Sequence, residues 1–298
     1  MSKYVLISSV RNEEKYISAT IESVITQSVL PEKWILVSDC STDNTDAIIR
    51  SYAEKIKWIV YKRNNEYKEG MQVSERKVYN VNNAVSMIEK NLYEYIGFID
   101  GDIRFSNESF SVLINRLDSR PDLGLTGGYI YNYRNNRLFP MFTSKSGVGG
   151  PFQFFRKECY SQIGGYIPCA YEDSIAIVSA KMHGWEVTAF KDVVIHHLKA
   201  AGIPGRNAYK AKFNVGKMEY LTGDHWLYHF VRSAFTLNEH PFFISFLLKL
   251  SGYWFMILTG RKVKTPAHIV RYMRRMQLRK LGLGFMAGKI RLTVEKGS

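Results

Sequence analysis

The sequence predicts an α/β fold whose centre is a mostly parallel sheet covered by helices. Three observations carry this expectation. Four segments, YVLISSV (4–10), WILVSD (34–39), IKWIVYKR (56–63) and YIGFID (95–100), are largely continuous apolar runs rather than alternating ones, the pattern of strands buried on both faces. Stretches with apolar residues at helical spacing separate them. The first, second and fourth runs lead directly into charged or turn-forming residues, as strands do at the ligand-bearing rim of such a sheet.

Taken in order, the first strand hands over to the polar loop Arg11-Asn12-Glu13-Glu14. The helix after it carries Ile17, Ile21, Val24 and Ile25 on one stripe and is closed by Pro31. The second strand ends at Asp39, and Asp43-Asn44-Thr45 opens the next helix. The third strand gives way to a polar loop, 64–75. Val78, Val81 and Val85 place KVYNVNNAVSMIEK on a helix, and the fourth strand stops at Asp100-Gly101-Asp102. Beyond it, FSVLINRLDSRPDLGLTGGYIYNY reads as helix, turn and strand, and 132–150 as a loop or hairpin. PFQFFRKECYSQIGGYI reads as a strand and a short helix. EDSIAIVSAKMHGW is a helix opened by two acids, EVTAFKD a strand, and VVIHHL the strand after that.

At 298 residues, the chain has room for one large core or for one domain and an appendage. Its 46% apolar content excludes a disordered chain. Cys40, Cys159 and Cys169 are too few and too scattered for a disulfide framework or a zinc site. No signal-peptide apolar region precedes the first strand, so a cytoplasmic active face is expected. No GxGxxG follows that strand either, which argues against a dinucleotide-binding domain.

The net charge of +14 is concentrated at one end: residues 241–298 hold twelve Lys or Arg and one acid, Glu295. This basic region follows PFFISFLLKLSGYWFMILTG (241–260), apolar except for Lys249 near its middle. Such a run can span a bilayer, lie along its interface, or pack as a buried helix pair. The basic residues behind it suit contact with the anionic inner face of a cell membrane.

Two carboxylates at i and i+2 where a buried strand meets solvent, Asp100 and Asp102, suit a divalent metal carrying a phosphate-rich ligand. Asp-Gly-Asp also ends strands for turn chemistry alone. Glu172-Asp173 can supply acid–base chemistry, or simply complement the helix macrodipole.

The pieces VLISSVRNEEKYISATIESVITQS, ILVSDCSTDNT, YIGFIDGD, GGPFQFFRKECYSQIGGYIPCAYEDSIAIVSAKMHGWEV and VVIHH, in this order over residues 4–200, resemble the GT-A glycosyltransferases of inverting family 2. The resemblance implies a nucleotide-diphospho-sugar transferase fold. Its catalytic domain would cover 1–220, with a nucleotide-binding part to about residue 103 and an acceptor-binding part over 104–220. A helical, basic and apolar-rich region, 221–298, would follow.

It also implies roles. Asp39, with Val10, Arg11 and Glu13 in the first loop, would contact the base and ribose, and Arg76 would lie near the pyrophosphate. Asp100-Gly101-Asp102 matches the DxD motif, with Asp102 the foremost ligand of Mn²⁺ or Mg²⁺ and Asp100 on the ribose, a metal-bound water or the metal. One of His196 and His197, with His197 nearer the strand end, would add a ligand and tilt the choice toward Mn²⁺. Gly150 would lie beneath the donor sugar, and Arg206 would hold a diphosphate. Asp173 would be the general base, with Glu172 orienting it or the acceptor.

The QxxRW motif of processive synthases is missing, which implies transfer of single sugars. The expected partners are a nucleotide-diphosphate sugar, by default of UDP, a glycan or lipid-linked acceptor, and an anionic membrane surface. No nucleic acid is expected, and the oligomeric state is open. The competing readings are a nucleotidyltransferase, which would want a Gly-rich phosphate loop where Arg11-Asn12-Glu13-Glu14 stands, and a membrane- or nucleic-acid-binding protein working through its basic tail.

Overall fold

The structure is a computed structural model and describes residues 2–66, 71–134, 137–140, 147–199, 208–238 and 242–283. The chain forms two compact units: residues 1–166 with 179–201, and residues 167–178 with 202–298.

The first unit begins as alternating strands and helices: β1 (Tyr4–Val10), α1 (Ile17–Ile25), β2 (Lys33–Asp39), α2 (Thr45–Ala53), β3 (Ile59–Asn64), α3 (Val73–Ser86) and β4 (Tyr95–Ile99). It continues with β5 (Ile103–Phe105), α4 (Ser109–Ser119), β6 (Leu123–Arg134), β7 (Arg137–Pro140), β8 (Phe152–Arg156) and α5 (Lys157–Gln162). Helix α6 (Glu172–Met182) then leads to β9 (Glu186–His197).

The strands form one mixed sheet in the order β3-β2-β1-β4-β8-β6-β9-β5, with β7 beside β6. Strands β3, β2, β1 and β4 are parallel neighbours, as their continuous apolar runs predict. Strand β8 enters antiparallel between β4 and β6. Tyr4, Phe110, Phe152 and Phe154 are buried against one another, with Tyr4 and Phe110 stacked at 4.9 Å.

One local expectation changes, and two neighbouring segments are filled in. Ile103–Phe105, to which the sequence assigns no element, forms a strand that pairs antiparallel with β9. The stretch read as two strands, EVTAFKD and VVIHHL, is one strand. The charged pair Lys191-Asp192 sits where the register with β6 shifts, so the break is an irregularity and not a turn. Strand β6 covers the strand read at GGYIYNY, Asn132 included, and pairs with β7 as far as Pro140, the hairpin alternative for that part of 132–150.

The second unit contains α7 (Ala208–Thr222), α8 (Trp226–Ala234), α9 (Ile244–Leu258) and α10 (Ala267–Lys280). Residues 167–178 join it rather than the sheet: Ala170 packs with Leu221 and Met256, and its carbonyl accepts from Thr222 Oγ1 at 3.3 Å. Helices α7 and α9 cross at Gly216 and Gly252. A Cβ on Gly216 would stand 1.9 Å from the Lys249 carbonyl oxygen, and one on Gly252 would stand 2.0 Å from that of Phe213. Only glycine permits this approach.

Among the described residues, no helix is long and apolar enough to cross a membrane. Helix α9 has 15 residues, about 22 Å at helical rise, against roughly 30 Å of hydrocarbon.

Candidate active site

The site is built on the rim where β1, β2 and β4 end. The loops leaving β1 and β2 are tied together by polar contacts. Asn12 Oδ1 accepts from the Thr42 N–H at 2.8 Å, and the Glu13 N–H donates to Thr45 Oγ1 at 2.8 Å. Asn12 (φ 54) and Cys40 (φ 52) both adopt the left-handed region, so the backbone of each loop is held in a costly conformation by these contacts.

Asp39 is buried at the end of β2. Its Oδ2 lies 3.5 Å from an Arg76 guanidinium nitrogen, and its Oδ1 accepts from Asn64 Nδ2 at 3.3 Å. Asn64 also donates to Asn80 Oδ1, and Asn80 to Ser9 Oγ. Arg76, buried at the start of α3, therefore meets the Asp39 carboxylate. Glu13 forms an ion pair with Lys199 at 2.7 Å; burial raises its pKa, with Lys199 opposing.

Asp100 Oδ1 accepts from Lys77 Nζ at 2.7 Å. Its N–H donates to the Pro151 carbonyl at 2.9 Å, which lays the Gly149-Gly150-Pro151 segment alongside. Gly101 turns beneath Val10: a Cβ there would stand 2.7 Å from Val10 Cγ1, so a larger residue would have to push the buried Val10 side chain aside. The Gly101 carbonyl accepts from Thr20 Oγ1 at 2.9 Å.

Asp102 and His197 meet because β5 runs antiparallel to β9, with Ile103 opposite His197 and the Leu198 N–H donating to the Asp102 carbonyl at 2.7 Å. Asp102 Oδ2 lies 3.3 Å from His197 Nε2. Asn132, in register with His197 across β6 and β9, presents its Oδ1 3.0 Å from His197 Nδ1. An amide oxygen only accepts, so the contact fixes a proton on Nδ1 and turns Nε2 toward Asp102.

The Asp102 carboxylate raises the His197 pKa against the opposing pull of burial. His196 alternates to the other face of β9. Burial and the Arg104 cation lower its pKa.

Lysine or arginine pairs three rim carboxylates, at Asp39, Asp100 and Glu13. Asp102 instead faces an imidazole, whose proton can leave, and forms no ion pair with Lys or Arg among the described residues. A divalent cation can replace that proton without stranding a fixed positive charge, and a histidine held by its other nitrogen is the usual form of a metal ligand. The pair thus fits a hard or borderline cation that takes its remaining ligands from a substrate's phosphates. The three-member set Asp100, Asp102 and His197 does not converge: among the described residues no group of three metal-ligating side chains forms, and Asp100 is drawn to Lys77.

Glu172 and Asp173 open α6 within the second unit, Glu172 buried and Asp173 half-buried. The Ser174 N–H donates to Asp173 Oδ1 at 2.7 Å, and Tyr171 just before them has φ 54. Arg206 lies outside the described residues. Lys77, Asn132 and Lys199 were not singled out by sequence reasoning. Lys77 is adjacent to Arg76 and Lys199 is two residues past His197, which is the signal each carried. Asn132 carried none, since its place comes from pairing with β9.

The mixed sheet, with its acidic rim at the ends of parallel strands, has the architecture of a GT-A glycosyltransferase. The chain belongs to glycosyl transferase family 2, whose profile matches residues 5–171. Among solved structures it is similar to the mannosyltransferase PcManGT from Pyrobaculum calidifontis in complex with GDP-Man and Mn²⁺ (TM-score 0.56, 14% identity, 98% of this chain and 76% of that one). It is also similar to S. aureus TarS (0.56, 19%, 96% and 53%) and to GalNAc-T7 with UDP, GalNAc and Mn²⁺ (0.58, 14%, 89% and 59%). The chain thus spans about half the length of TarS. No curated protein matches it in sequence. The protein is a glycosyltransferase.

Proposed function

We propose that this enzyme transfers a single sugar, with inversion, from a nucleotide-diphosphate sugar of the UDP class to a hydroxyl of a glycan or lipid-linked oligosaccharide, at the inner face of a cell membrane. The observation that carries the reading is the approach of Asp102 Oδ2 to His197 Nε2 at 3.3 Å on the strand-end rim. Complexes of the solved relatives with GDP-Man and Mn²⁺, UDP-GlcNAc, and UDP with Mn²⁺ support the donor class and a divalent cation.

Asp102 and His197 would hold Mn²⁺, or less readily Mg²⁺, which when bound offsets the charge gathering on the diphosphate as it leaves. Asp39, oriented by Arg76 and Asn64, accepts a hydrogen bond from the base or ribose, with Val10, Arg11 and Glu13 beside it. Asp100 and Lys77 border the same end, and Gly150 leaves space for the sugar. Asp173 takes the proton from the acceptor hydroxyl as that oxygen attacks the anomeric carbon, and Glu172 orients the acceptor or the base. Arg206 holds a phosphate of the donor or of a lipid carrier.

The test is release of nucleotide diphosphate from UDP-, GDP- and dTDP-sugars, with Mn²⁺ or Mg²⁺, by wild type and Asp173→Asn. Metal-dependent turnover of one donor, lost about 10²- to 10⁴-fold in the variant, is the expected result. Turnover unaffected by Asp173→Asn removes the base assignment, and the absence of any metal-dependent nucleotide binding removes the donor reading.

A further inference from the structure

Helix α9 is inside out. Its polar and small residues Ser245, Lys249 and Gly252 face inward with Tyr253 and Met256, while a stripe of large apolar residues faces solvent. Ile244, Leu247, Trp254 and Leu258 are all exposed, Leu247 at 61% and Leu258 at 84%. Their spacing places them on one helical stripe, interrupted only by Ser251. Phe242 and Phe243 extend it at the N-terminal end. Helix α8 adds exposed Trp226 and Phe230, and the Phe230 ring packs edge-on against Phe246 of α9 at 5.6 Å, so the two helices share the surface.

The inversion is specified by the chain and is not a packing fault. Lys249, 4% exposed, pairs with the buried Glu219 at 3.5 Å. Glu219 in turn accepts from His229 Nδ1 at 2.6 Å. Burial alone would raise the Glu219 pKa, but His229, Arg232 and Lys249 hold it below the usual value. Turning α9 over to hide its apolar stripe would break this buried pair, so the stripe stays outside and needs an apolar environment of its own.

The charge beside the stripe says which environment. Arg261, Lys262 and Lys264 follow α9 directly and are exposed, and α10 exposes Arg271, Arg275, Arg279 and Lys280. The sequence has no acid between residues 241 and 294. A second copy of this chain seated on the face would set these cations against their own kind. A surface that takes aromatic side chains and is negatively charged suits both features, and stable attachment to a bilayer needs two such signals.

We propose that the exposed face of α8 and α9, with the cationic segment beginning at Arg261, docks in the plane of an anionic phospholipid surface. This rests on the proposed work at a membrane face and adds the docking residues and the lipid chemistry. The occupant is the lipid itself, independent of donor or acceptor.

The experiment is flotation of the full chain with vesicles of phosphatidylcholine alone and of phosphatidylcholine with one third phosphatidylglycerol, at low and high salt, without nucleotide sugar. Co-flotation with the anionic vesicles, weakened by salt, is expected. Combining Leu247→Ser, Trp254→Ser and Leu258→Ser, all at exposed positions, should lower partitioning at least tenfold. A second variant, Arg261→Gln with Lys262→Gln and Lys264→Gln, should lose the preference for the anionic vesicles. Failure of the wild type to float, equal flotation of wild type and both variants, or a dimer that the serine substitutions dissociate would each overturn the proposal. Donor turnover measured on the same samples separates this outcome from failure of the transferase reading, since flotation needs no chemistry.

Discussion

Gly216→Ala tests the packing of the second unit most sharply. The added Cβ would stand 1.9 Å from the Lys249 carbonyl oxygen and 2.9 Å from the Tyr253 nitrogen, and real Cβ atoms do not come within 3.0 Å of a neighbour. Both neighbours are backbone atoms and have no rotamer to change, so α7 and α9 must part by at least 1.1 Å, from 1.9 to 3.0 Å. Two effects oppose each other. Alanine favours the helix over glycine by about 1 kcal/mol. Overpacking costs about 1–3 kcal/mol, and loosening a buried charge pair such as Lys249–Glu219 at 3.5 Å adds part of the 3–5 kcal/mol that its full loss would cost.

The second group wins, and the variant should be less stable by about 2–4 kcal/mol. Hydrogen exchange reads this locally. Protection of the α7 and α9 amides should fall about 30- to 1,000-fold, with the sheet amides much less affected. Protection equal to or above that of the wild type would refute the close crossing.

Other outcomes follow from the same structure. Asp224 in the second unit has a pKa pushed up to about 6 by burial and by the Glu219 charge. Its folded-state pKa lies above the unfolded value, so between about pH 4 and 6 the folded protein binds more protons, and stability falls as pH rises through that window. Asp224→Asn, still able to accept from Gln277 Nε2, should flatten this slope in thermal melts. It should also gain on the order of 2–3 kcal/mol at pH 7. Asp39→Asn keeps the shape beside Arg76 but weakens the acceptor, and UDP affinity should drop about tenfold to a hundredfold in an equilibrium titration. His197 holds its proton more tightly than an ordinary histidine because of Asp102. A metal must displace that proton, so Mn²⁺-supported UDP binding should strengthen as pH rises through its titration.

The nucleotide half of the fold was legible because its strands are local signals. YVLISSV, WILVSD and YIGFID are buried on both sides and say so without reference to any partner. The polar residues at their ends marked the rim for the same reason. What was not legible depends on register between distant segments. Asn132 lies at the end of the strand read as GGYIYNY, and only its pairing with β9, which no local signal records, brings it to His197. Lys191-Asp192 looks like a break, yet β9 continues through it. Residues 167–178 join the C-terminal helices because Ala170 fits between Leu221 and Met256, a packing choice that no local pattern records. The apolar run at 241–260 was plain in composition. Which face it shows was not, because the outcome turns on Lys249 finding Glu219 inside.

Asp102 and His197 should together hold the cation, and the decisive measurement is calorimetric titration of UDP and GDP with and without Mn²⁺, in wild type, Asp102→Asn and His197→Gln. Binding in the wild type should tighten markedly with Mn²⁺, Asp102→Asn should abolish that gain, and His197→Gln should reduce it by at least the roughly 10- to 100-fold that losing an outer-shell partner of a metal costs. The same Mn²⁺ dependence in all three proteins would contradict the claim that these two side chains hold the cation.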